Sequence, residues 1–176
     1  MRILGVDPGL GATGYGIIED KDFKLIEAGV IRTRSGTPIQ DRVKKIFDEI
    51  SVVIEEHRPD ILVLEKIYSH YKHPTTAILM GHARAMACLV CGDFKIKLIN
   101  YPSTRIKKAV TGNGHASKRQ VQRMVQSLLR LKEPPEPVDV SDALAMAISY
   151  CYIAKNKLQP PPQRLADPPS AEKAKL

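Results

Sequence analysis

Cysteine is scarce in this chain: Cys88, Cys91 and Cys151 are an odd number and support no disulfide framework. The spacing in "CLVC" has the form of half a zinc or redox site, with His70 and His73 as conceivable partners, but no second Cys pair completes it. Both thiols close the apolar stretch "AILMGHARAMACLVC", so they are expected to be buried as small hydrophobes. Long apolar runs are also lacking, since none approaches the roughly 20 residues needed to span a bilayer. The N-terminus goes straight into a strand pattern without the architecture of a signal peptide. A cytoplasmic protein that uses no membrane is the expectation. Acidic residues are outnumbered, 19 against 27 Lys and Arg, for a net charge of +8. The segment from Lys155 to Leu176 holds five basic and two acidic residues, or +3, which leaves +5 on the body. That surplus favours a polyanionic partner by electrostatics, and a solvated surface accounts for it equally well.

What is present suffices for one domain: 176 residues, of which 43% are hydrophobic. Residues 2–7, 14–19 and 24–33 read as three strands joined by short turns, an antiparallel meander. From Ile39 to His57 apolar residues recur at three and four, the pattern of an amphipathic helix ended by Pro59. "DILVLE" is a continuous apolar run, as expected for a buried strand parallel to its neighbours. A long helix over 75–91, a strand in "KIKLINY" and helices near 103–111, 117–131 and 140–154 complete an α/β domain with a mixed sheet. Residues 1–155 are expected to form that domain. Residues 156–176, with five prolines and little to bury, are expected to be a disordered tail.

Two carboxylates end apolar strands, Asp7 in "RILGVD" and Glu65 in "DILVLE". In open sheets ligands bind outside the carboxyl ends of the strands. Neighbouring strands lie about 4.8 Å apart, so adjacency would bring the two acids to one edge. Asp139 and Asp142 stand three apart at the start of an apolar helix and project from one face. Singly, Asp139 reads as a helix cap, Asp142 as a complement to the helix dipole and Asp7 as a turn residue before Pro8. Together, the four suit a hard cation with oxygen ligands, for which Mg²⁺ is the natural candidate. Two such ions about 3.5–4 Å apart can clamp both oxygens of an in-line phosphoryl displacement. Gly9, Gly11, Gly14 and Gly16 after Asp7 would let a phosphate backbone come close.

"GVDPGLGATGYGII", "LVLEKIY", "GHARA", "GNGHASKRQVQRMV" and "DVSDALAMAI" occur in the order and spacing of the RuvC-type Holliday junction resolvases, which the chain resembles from about residue 1 to 155. The resemblance implies a ribonuclease H-like fold, a mixed five-stranded sheet flanked by helices. It also implies a homodimeric, Mg²⁺-dependent endodeoxyribonuclease of recombination and repair. Such an enzyme cuts two opposed strands of a four-way junction and leaves 5′-phosphate and 3′-hydroxyl ends. Two ions per site are implied, with Mn²⁺ as a substitute, and so is contact with the RuvA–RuvB branch-migration complex. Asp7, Glu65, Asp139 and Asp142 match the four catalytic, metal-binding acids. Lys107 and Lys118 match basic residues near the scissile strand, where they would neutralise phosphate and developing charge. Lys108, Arg119 and Arg123 would widen the DNA-binding field. Tyr68 falls where the family carries an aromatic that stacks at the opened junction, and Tyr71 in the same loop is an alternative for that role. The small residues of "GHARAMA" suit a helix facing either the sheet or a partner subunit. A rival reading takes "DPGLGATG" as the first phosphate loop of an actin-like kinase, though no second phosphate loop follows.

Overall fold

The computed structural model describes residues 1–66 and 74–158. Strands β1 (Arg2–Asp7), β2 (Ala12–Glu19) and β3 (Lys24–Arg32) form the antiparallel meander. Strands β4 (Ile61–Glu65) and β5 (Lys97–Tyr101) continue the sheet parallel to β1, in the order β3-β2-β1-β4-β5. Helix α1 (Ile39–His57) leads from β3 to β4, and α2 (Pro74–Asp93) precedes β5. Helices α3 (Ser103–Thr111), α4 (Lys118–Leu128) and α5 (Val138–Leu158) complete the domain.

Both faces of the sheet are covered, which explains the unbroken apolar runs of β1 and β4. Alternate side chains point to opposite faces. Ile3, Ile61 and Val63 therefore join the core under α3, α4 and α5. Leu4, Val6, Leu62 and Leu64 join the other core, under α1 and α2. Helix α1 buries Ile46, Ile50, Val53 and Ile54 and stops where Arg58, at φ 46°, turns left-handed before Pro59. Helix α4 starts at a capping box in which Ser117 and Gln120 satisfy each other's backbone N–H.

Element boundaries differ from the sequence pattern in a few places. Strand β2 begins two residues earlier than expected. Helix α4 ends at Leu128 rather than 131, although Leu128 and Leu131 prolong the apolar periodicity. Arg130 turns left-handed at φ 53°, and the Gln126 amide donates to the Lys132 carbonyl at 3.2 Å. Helix α5 starts at Val138 and runs on to Leu158. Asp139 therefore lies inside the first helical turn instead of capping it. Within α2, Thr75–Asp93 is long and apolar enough to cross a membrane by length and composition, contrary to the sequence reading. Ala83, Ala87, Val90 and Cys91 nevertheless pack into the domain core, as one face of a domain helix does. Ala83 and Ala87 face the sheet, whereas Ile78, Leu79, Met80 and Leu89 remain exposed on the same helix.

Candidate active site

The pleat decides where the first two acids point. Ile3 and Gly5 of β1 face α5, and Asp7 follows in the same alternation; Ile61 and Val63 of β4 do likewise, followed by Glu65. Because β1 and β4 are parallel neighbours, Val6 pairs with Leu64 and both acids emerge from one end and one face of the sheet. Helix α5 completes the group by lying unusually close. A Cβ on Gly14, the partner of Asp7 across β1 and β2, would overlap the Asp139 carbonyl oxygen and lie 2.9 Å from the Asp139 Cβ. At Gly5 it would overlap the Ala143 carbonyl, and at Gly16 it would stand 2.7 Å from the Leu144 Cγ. These glycines serve helix packing, not the approach of a phosphate backbone expected from the sequence. Gly9 is closed off by the Ala12 carbonyl, and only Gly11 opens onto empty space.

A cleft of about 570 Å³ opens over this end of the sheet, lined by Asp7, Glu65, Asp142, Ser103, Lys107 and Lys118, with Met80 of α2 on its wall. Burial pushes the Asp7 carboxyl from 3.8 up to about 7, reinforced by Asp142, Asp139 and Glu65 and opposed by Lys118. Burial also raises Glu65, against a hydrogen bond from Ser103 and the charges of Lys107 and Lys118. Lys118 Nζ lies 3.0 Å from Asp142 Oδ2, and that bond holds its ammonium above the ordinary lysine range. Asp139 belongs to the same electrostatic group, since its charge acts on both Asp7 and Lys118. The donor set is all carboxylate oxygen, which suits hard divalent cations, and an ion there would relieve the charge crowded around Asp7. The residues thus fit Mg²⁺.

Lys66 also lines the cleft, whereas the other basic residues expected to meet DNA stand apart from its lining. Lys108 and Arg119 are exposed on α3 and α4, and Arg123 lines a shallow groove with Thr111, Asn113 and Gln120. Tyr68, Tyr71, His70 and His73 lie outside the described residues. Cys91 is buried in the core, which pushes its thiol up to about 11, and Cys88 is half-buried. Elsewhere, Glu27, Glu56 and His57 bring possible ligand atoms within 4.8 Å of one another. Glu27 already accepts from the Tyr15 hydroxyl at 2.6 Å and pairs with His57 Nε2 at 2.6 Å, bonds that hold its carboxyl below the usual range. Those contacts tie β3 to the end of α1, on the face away from the acidic cleft.

Two participants escaped the sequence reading. Ser103 sits just past β5 at the same carboxyl-end crevice as Glu65, and that position was its only signal. Arg84 donates from Nη1 to the Glu65 carbonyl at 2.6 Å and from Nη2 to Asn100 Oδ1. A lone cation in the apolar "ILMGHARAMACLV" was the clue to it.

Sheet order and acidic cleft define a nuclease of the ribonuclease H-like fold. The family model for the crossover junction endodeoxyribonuclease RuvC matches residues 3–150. A protein of that name from Rhodopirellula baltica is 43% identical over 158 residues, 89% of this chain and 89% of its own. The Thermus thermophilus RuvC structure superimposes with a TM-score of 0.82 at 29% identity, covering 89% of this chain and 97% of that one. A T. thermophilus RuvC in complex with Holliday junction substrate gives 0.81 at 26% identity, covering 89% and 96%. The chain belongs to the RuvC family of crossover junction endodeoxyribonucleases.

Proposed function

We propose that the chain resolves four-way DNA junctions by hydrolysing one phosphodiester in each of two opposed strands, leaving 5′-phosphate and 3′-hydroxyl ends. The observation that carries this reading is the meeting of Asp7, Glu65 and Asp142 with Lys107 and Lys118 around one cleft, in a member of this family. Asp7, Glu65, Asp139 and Asp142 hold the metal. Mg²⁺, as two ions, or Mn²⁺ in its place, would supply there the Lewis acidity that polarises the scissile phosphate. Lys107 and Lys118 neutralise the scissile phosphate as negative charge grows on it. Ser103 stands beside Glu65 in the cleft, where its hydroxyl favours the ionised carboxylate. Lys108, Arg119 and Arg123 contact flanking phosphates, which position the duplex without reading sequence. Tyr68 stacks on an opened base.

The active unit is a homodimer. Its support is the apolar face of α2 left open by Ile78, Leu79 and Leu89, and the two-fold symmetry of the substrate. Residues 1–155 are the nuclease domain, working in the cytoplasm beside the RuvA–RuvB complex. The actin-like reading gains nothing, since the described residues build a single five-stranded sheet.

Glu65→Gln tests the proposal. In Ca²⁺ the variant is expected to bind junction DNA as the wild type does, while in Mg²⁺ its cutting falls about 100-fold or more. Undiminished cutting would remove Glu65 from the chemistry and the reading with it.

A further inference from the structure

We propose that Arg84 is a positioning residue that locks the Glu65 backbone and couples helix α2 to the active site. This rests on the reading of Glu65 as a metal ligand. Helix α2 buries Ala83, Ala87 and Val90, and between them Arg84 sends its guanidinium to the end of the sheet. Nη1 donates to the Glu65 carbonyl at 2.6 Å, and Nη2 donates to the side chain of Asn100, which pairs with Leu64 across β4 and β5. One atom along the chain, the Lys66 N–H donates to the Tyr101 carbonyl at 2.8 Å. The single peptide plane that follows the Glu65 Cα is therefore held at both ends, its C=O by α2 and its N–H by β5.

That plane lies where β4 ends, at the last pair of the β4–β5 ladder, Glu65 with Tyr101. Asn100 faces α2 whereas the Glu65 side chain faces α5, so the fork grips from behind the sheet and leaves the carboxylate free for the cleft. The cations acting on that carboxylate are Lys107 and Lys118. Arg84 therefore acts by placement. The same helix supplies Thr76, Ala77 and Met80 to the cleft wall, so α2 both borders the cleft and grips the Glu65 backbone.

The test compares the full-length wild type with Arg84→Ala, Arg84→Lys, Asn100→Ala and Glu65→Gln. Hydrogen exchange at the Lys66 amide and the Mn²⁺-induced rise in melting temperature are measured without DNA. Junction binding in Ca²⁺ and single-turnover cutting in Mg²⁺ follow. Arg84→Ala is expected to speed Lys66 exchange, raise the Mn²⁺ concentration for half the melting shift about 10-fold, and slow cutting by about 10- to 100-fold. Junction affinity stays unchanged, Arg84→Lys recovers part of each loss, and Asn100→Ala shows the same pattern more weakly. Should Arg84→Ala fail to fold, the Lys and Asn100 variants carry the comparison. Wild-type exchange and Mn²⁺ response in the folded variants would overturn the inference while Glu65→Gln still abolished cutting. If Glu65→Gln itself kept its Mn²⁺ response and its cutting, the metal-ligand reading would fail instead.

Discussion

Replacing Asp7 by Asn should make the metal-free protein more stable while destroying its activity. The Asp7 carboxyl moves from 3.8 in the open chain to about 7 in the fold, chiefly because it is buried and then because Asp142 and Asp139 are near. A rise of about three units, at about 1.4 kcal/mol each, sets a ceiling of about 4 kcal/mol on the cost of keeping it ionised. Between these two values the native state keeps a proton that the unfolded chain has lost, so stability falls as pH rises. Above pH 7 the cost is complete and constant. An asparagine of nearly the same shape never incurs it. The stability gap between the variant and the wild type should thus be small below pH 4, about 2 kcal/mol near pH 5.5 and up to about 4 kcal/mol at pH 8. For a chain of this length that top value corresponds to about 10 °C in melting temperature. Thermal and urea denaturation with a chelator present, at those three pH values, measures the gap directly. Saturating Mg²⁺ should narrow it, because a ligand at about 100 times its Kd adds about 2.7 kcal/mol to the form that binds it. A gap independent of pH, or an Asp7→Asn protein less stable than wild type at pH 8, would refute the electrostatic account of the cleft.

Two further outcomes separate chemistry from packing. Lys118 is 73% exposed at its side chain and pairs with Asp142 at 3.0 Å, a contact worth under about 1 kcal/mol. Lys118→Ala should therefore leave the melting temperature almost unmoved and lower kcat about 10- to 100-fold with little change in KM; a loss confined to affinity would make it a positioning group only. Gly14→Ala should cost about 3 kcal/mol and weaken Mn²⁺ binding, because its methyl would overlap the Asp139 carbonyl. Gly11→Ala, with nothing within 4 Å of its added carbon, should stay within about 0.5 kcal/mol of wild type, and equal losses at the two positions would contradict the packing role given to Gly14.

The strand pattern and the acids were legible because each depends on local periodicity. Ile3 to Asp7 and Ile61 to Glu65 carry apolar runs that only a strand covered on both faces needs, and each run ends on a carboxylate. The pairing of Asp139 with Asp142 followed from helical spacing. What escaped was everything set by approach between elements distant in the chain. Gly14 and Gly16 read as room for a phosphate backbone, and only the docked α5 reveals that they, like Gly5, make room for a helix backbone or a leucine. Arg84 was submerged in a motif noticed for its small residues, since its partners Glu65 and Asn100 lie 19 and 16 positions away. The early end of α4 was likewise invisible, because the Gln126 side chain and the left-handed Arg130 override a leucine periodicity that would continue the helix.

Close docking of α5 accounts for both the packing and the chemistry of this end of the sheet. Were Gly5 and Gly14 to carry methyl groups, the helix would ride farther from β1 and β2, and Asp139 and Asp142 would withdraw from Asp7. Wider spacing would let water reach Asp7 and ease the repulsion from Asp142 and Asp139, the burial and the charges that together lift it to about 7, and would equally spoil the cluster of oxygen donors. The fold therefore crowds its acids around a buried carboxyl, a cost that a proton or a bound cation would relieve. It sustains that strain by burying Ala143, Leu144, Ala147 and Ile148 of the same helix completely. Each of the larger side chains among them contributes about 1–3 kcal/mol of burial, so one helix offsets at its middle the cost it creates at its start.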